Sequence, residues 1–222
     1  MRINRESTRT SVFQECWICC LTVPYYIGKS IGISLYCRKV EVHRTSGGLF
    51  SQSIDVGPGD ILFINGAAES LGAFAVQLAK EWGAKTVIGT ASKLNHDYLR
   101  SLGAVPLTYE EGLAERVRAI APDGVDAAFD TAGGEGLRAA VDLVEDKKRI
   151  CTFFAHDLIE ELGLRVVRGE RSAARLAELV ELHSKGKLHI HIRQTFPLDQ
   201  IGDAHRVIET RRGRGKIVLT LD

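Results

Sequence analysis

From residue 56 onward, short apolar runs alternate with stretches in which apolar side chains recur every three or four positions. The runs predict strands at 61–65, 86–90, 105–109, 125–130, 149–154 and 163–168, and the three-to-four spacing predicts helices at 71–82, 94–102, 111–120, 135–144 and 172–186. Strands and helices in strict alternation build an α/β, doubly wound parallel sheet, the Rossmann fold, with helices on both faces. Within helix 71–82, Leu71, Phe74, Ala75, Leu78 and Trp82 form the stripe expected to pack on the sheet, whereas Gln77, Lys80 and Glu81 are expected to face water. Gly83 is placed to end that helix. The tail adds a strand "HIRQTF" ending at Pro197, a helix "LDQIGDAHRVIETRR" and a closing strand "GKIVLTL".

No period of 2 or 3.6 is sustained before Val56-Gly57-Pro58-Gly59-Asp60, which sets the domain boundary. Residues 1–55 are an N-terminal segment without a predicted architecture. Residues 56–222 are read as a dinucleotide-binding domain with C-terminal return strands.

Composition narrows the function classes. The 222 residues carry 29 basic and 28 acidic side chains, so no global field draws the chain to nucleic acid or an anionic membrane. No apolar run approaches the ~20 residues of a membrane-spanning helix. Residues 11–37 hold Glu15, Pro24 and several cysteines without a clean apolar core, so no signal peptide is expected. Five cysteines, four of them within the first 37 residues, do not resemble a secreted disulfide framework, and a cytoplasmic location is expected. Cys16 and Cys19 have redox-pair spacing, but Pro24 interrupts the helix such a pair needs, and inert thiols are the plainer expectation.

The chemistry concentrates in "INGAAESLGAFAVQLAK", residues 64–80. A strand running through a glycine turn into a helix offers first-turn N–H groups and a partial positive charge to a pyrophosphate. A Gly-x-x-Gly-x-x-Gly spacing would place glycine at 66, 69 and 72, yet the middle position is Glu69. The turn is either a working nucleotide site with an unusual residue or the shell of one. The second strand ends in Gly89, Thr90, Ala91, Ser92 and Lys93, with no acidic residue to hold ribose hydroxyls. Ser92 and Lys93 suit a 2′-phosphate as hydrogen-bond donor and point charge; the alternative is that Ser92 caps the next helix and Lys93 is solvated.

The runs "GDILFINGAAESLGAFAVQLAKEWGAKTVIGTASKLNHDYLRSLGA", "VDAAFDTAGGEGL" and "FPLDQIGDAHRVIETRRGRGKIVL", in this order, resemble the medium-chain dehydrogenase/reductase superfamily, in its zinc-free quinone oxidoreductase-like branch. The resemblance covers residues 56–222. It implies that Gly66, Ala67, Ala68, Leu71 and Gly72 form the pyrophosphate loop and that Thr90, Ser92 and Lys93 contact the NADPH 2′-phosphate. It also places Tyr109 beside the adenosine half, and Asp130, Thr131, Ala132, Gly133, Phe153 and Phe154 beside the nicotinamide half.

Members of that branch carry a GroES-like catalytic barrel ahead of the nucleotide domain, and residues 1–55 read as at most a remnant of it. The zinc ligands of the zinc-dependent relatives are absent, Cys16, Cys19 and Cys20 lack a fourth ligand, and His189 and His191, placed on one strand face, lack further partners nearby in sequence. No metal is expected. Apolar return strands without a barrel to join imply a homodimer or larger assembly, with a truncated product as the alternative. The function implied is NADPH-dependent reduction of a quinone or an α,β-unsaturated carbonyl, without an identifiable catalytic acid; Tyr25 and Tyr26 are candidate proton donors, with aromatic packing the plainer role. The competing readings are a non-catalytic NADP(H)-binding module and a structural domain with a dead site. The substrate, if any, is a small molecule, with no nucleic acid and no membrane as partner.

Overall fold

A computed structural model describes residues 56–152, 159, 161, 163–166, 173–210 and 213–220. Phe153, Phe154, Tyr25, Tyr26 and the four N-terminal cysteines lie outside them. The described residues fall into two compact units, a larger one built from 56–193 with 213–216 and a smaller one from 194–210 with 217–220.

The larger unit is a six-stranded sheet in the order β3-β2-β1-β4-β5-β6, with every neighbouring pair parallel. The strands are β1 (Ile61–Asn65), β2 (Thr86–Thr90), β3 (Val105–Leu107), β4 (Ala127–Asp130), β5 (Ile150–Thr152) and β6 (Arg165–Val166). The helices between and after them are α1 (Ser70–Glu81), α2 (His96–Ser101), α3 (Leu113–Ile120), α4 (Gly134–Leu143) and α5 (Ala173–Ser184).

Period-two alternation divides β1, β2, β4 and β5 between two cores. Leu62, Ile64, Val87, Phe129 and Cys151 pack toward Phe74 and Leu78 of α1, Leu99 of α2 and Leu179 of α5. Phe63, Ile88, Ala128 and Ile150 pack toward Leu113 and Val117 of α3 and Leu137 and Ala140 of α4. Strands buried on both faces have to be apolar at successive positions, which is why "ILFI" and "VIG" occupy the centre of the sheet. Pro106 sits in β3, the edge strand, where its missing N–H costs no pairing on a far side.

Several boundaries move. The third strand ends at Leu107, two residues short of Tyr109, and the third helix starts after Gly112 rather than at 111. The fourth strand begins at Ala127, with Val125 making only an isolated bridge to Val144. Helix 94–102 resolves into a short 3-10 turn at Lys93–Asn95 followed by α2.

One expectation is corrected outright. Gln77 does not face water: it is 7% exposed, and its side chain ties α1 to the segment after α5. Its Nε2 donates to the carbonyls of Ala73 and His189, and its Oε1 accepts from the His189 amide. Helix α1 is therefore covered on both sides, and its residues 72–79 are all buried. Gly83 ends it as expected, its amide turning back to the Lys80 carbonyl.

In the tail, β7 (Ile192–Pro197) and β8 (Lys216–Thr220) pair as a two-stranded sheet, and α6 spans Ile201–Glu209. The smaller unit has its own core of Phe196, Ala204, Ile217 and Leu219. No described helix is long and apolar enough to cross a membrane.

Candidate functional site at the carboxyl ends of the central strands

Strands β1 and β4 end side by side, with Asn65 opposite Asp130, at the point where the chain order reverses. Open parallel sheets bind ligands at this switch point, because loops from adjacent strands diverge to opposite faces and leave a crevice.

The crevice floor is a closed polar network. Asn65 Nδ2 donates to Asp130 Oδ1 at 2.7 Å and to the Gly133 carbonyl at 3.0 Å. Asn65 Oδ1 accepts from Thr90 Oγ1 at 2.7 Å, and Thr90 Oγ1 in turn accepts from the Gly66 amide at 2.9 Å. Asp130 also accepts from Thr152 Oγ1 at 2.6 Å and from the amides of Ala132 and Gly133. Thr131 Oγ1 donates to the Asn65 carbonyl at 2.8 Å. Thr90, Asp130 and Thr131 are at most 1% exposed, so their side chains fix the loops around the crevice from below. Buried polar groups satisfied this completely specify one arrangement of the loops. Sequence reasoning passed over Asn65, the hub of the network; the available signal was a lone amide closing an otherwise apolar strand, "ILFIN".

Above this floor runs the glycine turn. Gly66 adopts φ +77°, and a Cβ there would stand 2.5 Å from Thr131 Oγ1. At Gly72 a Cβ would meet the Gly66 carbonyl oxygen at 2.2 Å and the Ala67 Cα at 2.6 Å. Gly72 is thus required by the turn's own packing, and Gly66 by the loop after β4 that lies against it. Position 69 carries no such demand. Glu69 has φ −73° and ψ 166°, ordinary extended backbone at the N-cap of α1, so its side chain imposes no strain. Ala67 and Ala68 are buried beside it, and Leu71 is half-buried in the first helical turn. The N–H groups of Ser70, Leu71 and Gly72 belong to that first turn, where a helix supplies no carbonyl partners.

The Glu69 carboxylate makes no side-chain cap hydrogen bond. It is exposed at the edge of a recess it shares with Ala73, Tyr98, His189, His191 and Lys216. Desolvation by the surrounding protein, followed by the negative charge of Asp130, raises its pKa above the usual carboxylate value. On the same recess, burial lowers Lys216 to about 8. Burial, Arg214 and His189, in that order, lower His191. His189 and His191 precede β7 rather than sharing a face of it. Among the described residues no group of three or more His, Cys, Asp or Glu side chains converges as a metal site, so the described part of the chain does not fit a zinc ion.

At the end of β2, Ser92 takes the N-cap position of the 3-10 turn, but its hydroxyl makes no cap bond; it accepts instead from Asn95 Nδ2 at 3.2 Å. Lys93 is exposed and pairs with no carboxylate among the described residues. Tyr109 is 60% exposed beyond the end of β3. Ala132 is exposed and Gly133 half-buried on the β4–α4 loop.

Comparison with known proteins places this geometry. A family model described as "Zinc-binding dehydrogenase" matches residues 102–219, over half of the chain. A 2-haloacrylate reductase of Burkholderia sp is 31% identical over 199 residues, covering 77% of this chain and 58% of the reductase. The synaptic vesicle membrane protein VAT-1 homolog of Danio rerio is 25% identical, over 74% of this chain and 42% of that protein. The solved quinone oxidoreductase of Coxiella burnetii superposes with a TM-score of 0.65 at 30% identity, over 81% of this chain and 58% of the other. The chain spans about half the length of the curated relatives it matches. With its Rossmann sheet, switch-point crevice and glycine turn, the chain belongs to the zinc-binding dehydrogenase family of the medium-chain dehydrogenase/reductase superfamily.

Proposed function

We propose that the chain is the nucleotide-binding part of an NADP(H)-dependent oxidoreductase acting on a quinone or an α,β-unsaturated carbonyl. The observation that carries the cofactor choice is the end of β2, where Ser92 and an exposed Lys93 stand in place of a ribose-binding carboxylate. In this reading the first-turn amides after Ala67 and Ala68 hold the pyrophosphate, with Gly66, Leu71 and Gly72 shaping the turn. Thr90, Asp130 and Thr131 brace the loops, and Ala132 and Gly133 border the nicotinamide half. The bound nicotinamide supplies hydride; the chain's residues orient it and exclude water. The substrate class follows the names of the relatives, a haloacrylate reductase and a quinone oxidoreductase. The reading is zinc-free, cytoplasmic and homo-oligomeric.

Nicotinamide fluorescence during titration with NADPH and with NADH tests the proposal, followed by NADPH oxidation in the presence of a quinone and enone panel. Tighter NADPH binding and acceptor-dependent oxidation are expected; NADH preference would defeat the cofactor assignment. Glu69 favours a second reading, a binding module without turnover, because its carboxylate stands at the phosphate loop. Cofactor binding without oxidation by any acceptor would select that reading.

A further inference from the structure

We infer that Arg214, contributed by the C-terminal segment, completes the phosphate-recognising end of the cofactor site together with Ser92 and Lys93. The inference rests on the dinucleotide-binding reading above. Arg214 Nη1 donates to Asn95 Oδ1 at 3.1 Å, and Asn95 Nδ2 donates to Ser92 Oγ at 3.2 Å, so a continuous hydrogen-bonded path joins the guanidinium to the loop after β2. The guanidinium carbon lies 4.5 Å from the centre of the Tyr98 ring, over the face of that ring on α2.

The guanidinium differs from most other arginines in its partners. Arg100, Arg118, Arg138, Arg149 and Arg206 each pair with a carboxylate. No carboxylate among the described residues pairs with Arg214. Its Nε is buried and meets no hydrogen-bond partner among the described residues. A half-buried guanidinium with a neutral amide, a ring face and a buried free N–H is under-compensated. Its planar donors match phosphate oxygens. Lys93, which likewise meets no carboxylate among the described residues, stands two residues before Asn95. Three donors of this kind around one loop suit a phosphomonoester on the adenosine ribose, and the chain would then set its cofactor preference partly from a residue far from the second strand in sequence.

The full chain and its Arg214→Gln and Arg214→Lys variants are titrated with NADPH and NADH, following nicotinamide fluorescence. Arg214→Gln is expected to raise the NADPH dissociation constant by about 10- to 100-fold, the scale of one charged hydrogen bond, with NADH changed by less than about two-fold. Arg214→Lys is expected to recover part of the loss. Unchanged NADPH affinity in Arg214→Gln, or proportional losses of both cofactors in both variants, overturns the inference and marks the Tyr98 contact as purely structural. A wild-type chain that binds neither cofactor overturns the dinucleotide reading itself and this inference with it, whereas wild-type binding that ignores the 2′-phosphate overturns this inference alone.

Discussion

Glu69 decides how well the glycine turn serves an anion. Within 4 Å of a phosphate, at an effective dielectric near 20, its carboxylate would cost about 4 kcal/mol per charge pair. Its extended backbone and exposed position leave the side chain free to swing toward solvent, where ions screen most of that cost. Glu69→Gly is therefore expected to tighten NADPH by about 1–2 kcal/mol, while the empty protein loses up to about 1 kcal/mol through added backbone freedom. Calorimetric titration and denaturant melts of both forms measure the two effects, and unchanged affinity would mean the carboxylate already points away. The raised pKa sets a pH dependence as well. A carboxyl with a higher pKa folded than unfolded binds its proton more tightly in the native state. Its contribution is thus present below the ordinary carboxylate value and lost as pH rises through the raised one. Urea midpoints across this window should fall more steeply in the wild type than in Glu69→Gln. The residue itself was plain in the sequence, because it broke a spacing. Asn65 broke no spacing, only the apolar run of its own strand, and its role became visible only when β2 and β4 were brought beside β1.

Helix α1 shows what periodicity can and cannot tell. Its sheet-facing stripe of Phe74, Ala75 and Leu78 is legible because a helix needs one apolar face. Its outer face reads as solvent-exposed only if Gln77 is counted as a surface residue. The small, apolar Ala73, Val76 and Ala79 around Gln77 were the signal that a second layer covers this side. That layer is the 188–190 segment, which comes from more than 100 positions away in the chain and leaves no local trace. Gln77 satisfies both backbone groups of His189, so Gln77→Ala should strand a donor and an acceptor together and cost about 1–3 kcal/mol. Gln77→Glu keeps the acceptor and loses the donor to the His189 carbonyl, so its loss should resemble that of Gln77→Ala if the donated bond dominates. Denaturant melts of the two variants compare them directly, and a wild-type midpoint for Gln77→Ala would show that water replaces the bridge. The same limits apply to β3: its three residues were overextended to Tyr109 because an apolar run does not announce where pairing with β2 stops.

Across the whole molecule, the strand alternation carried the sheet, since a doubly covered parallel sheet writes itself into its central strands β1, β2, β4 and β5. The recess beside α1 was not legible, because it joins residues 69, 98, 191 and 216. Its lysine gives the fold a second pH response, of opposite sign to that of Glu69. With Lys216 lowered to about 8 from 10.5, the unfolded chain binds the extra proton more tightly between those values, so stability should rise with pH across that window. Lys216→Met should abolish the rise, as thermal melts between neutral and alkaline pH would record. The glycine turn has a further consequence. Gly72→Ala is expected to destabilise the empty protein by about 3 kcal/mol or more, because the added methyl meets backbone, not a movable side chain. Selection for folding alone would then hold positions 66 and 72 fixed in any lineage that stopped using a nucleotide, while position 69 drifted. A fingerprint scored on the outer glycines would go on reporting a cofactor site long after the site had fallen silent, and the middle position is where such a loss would first be recorded.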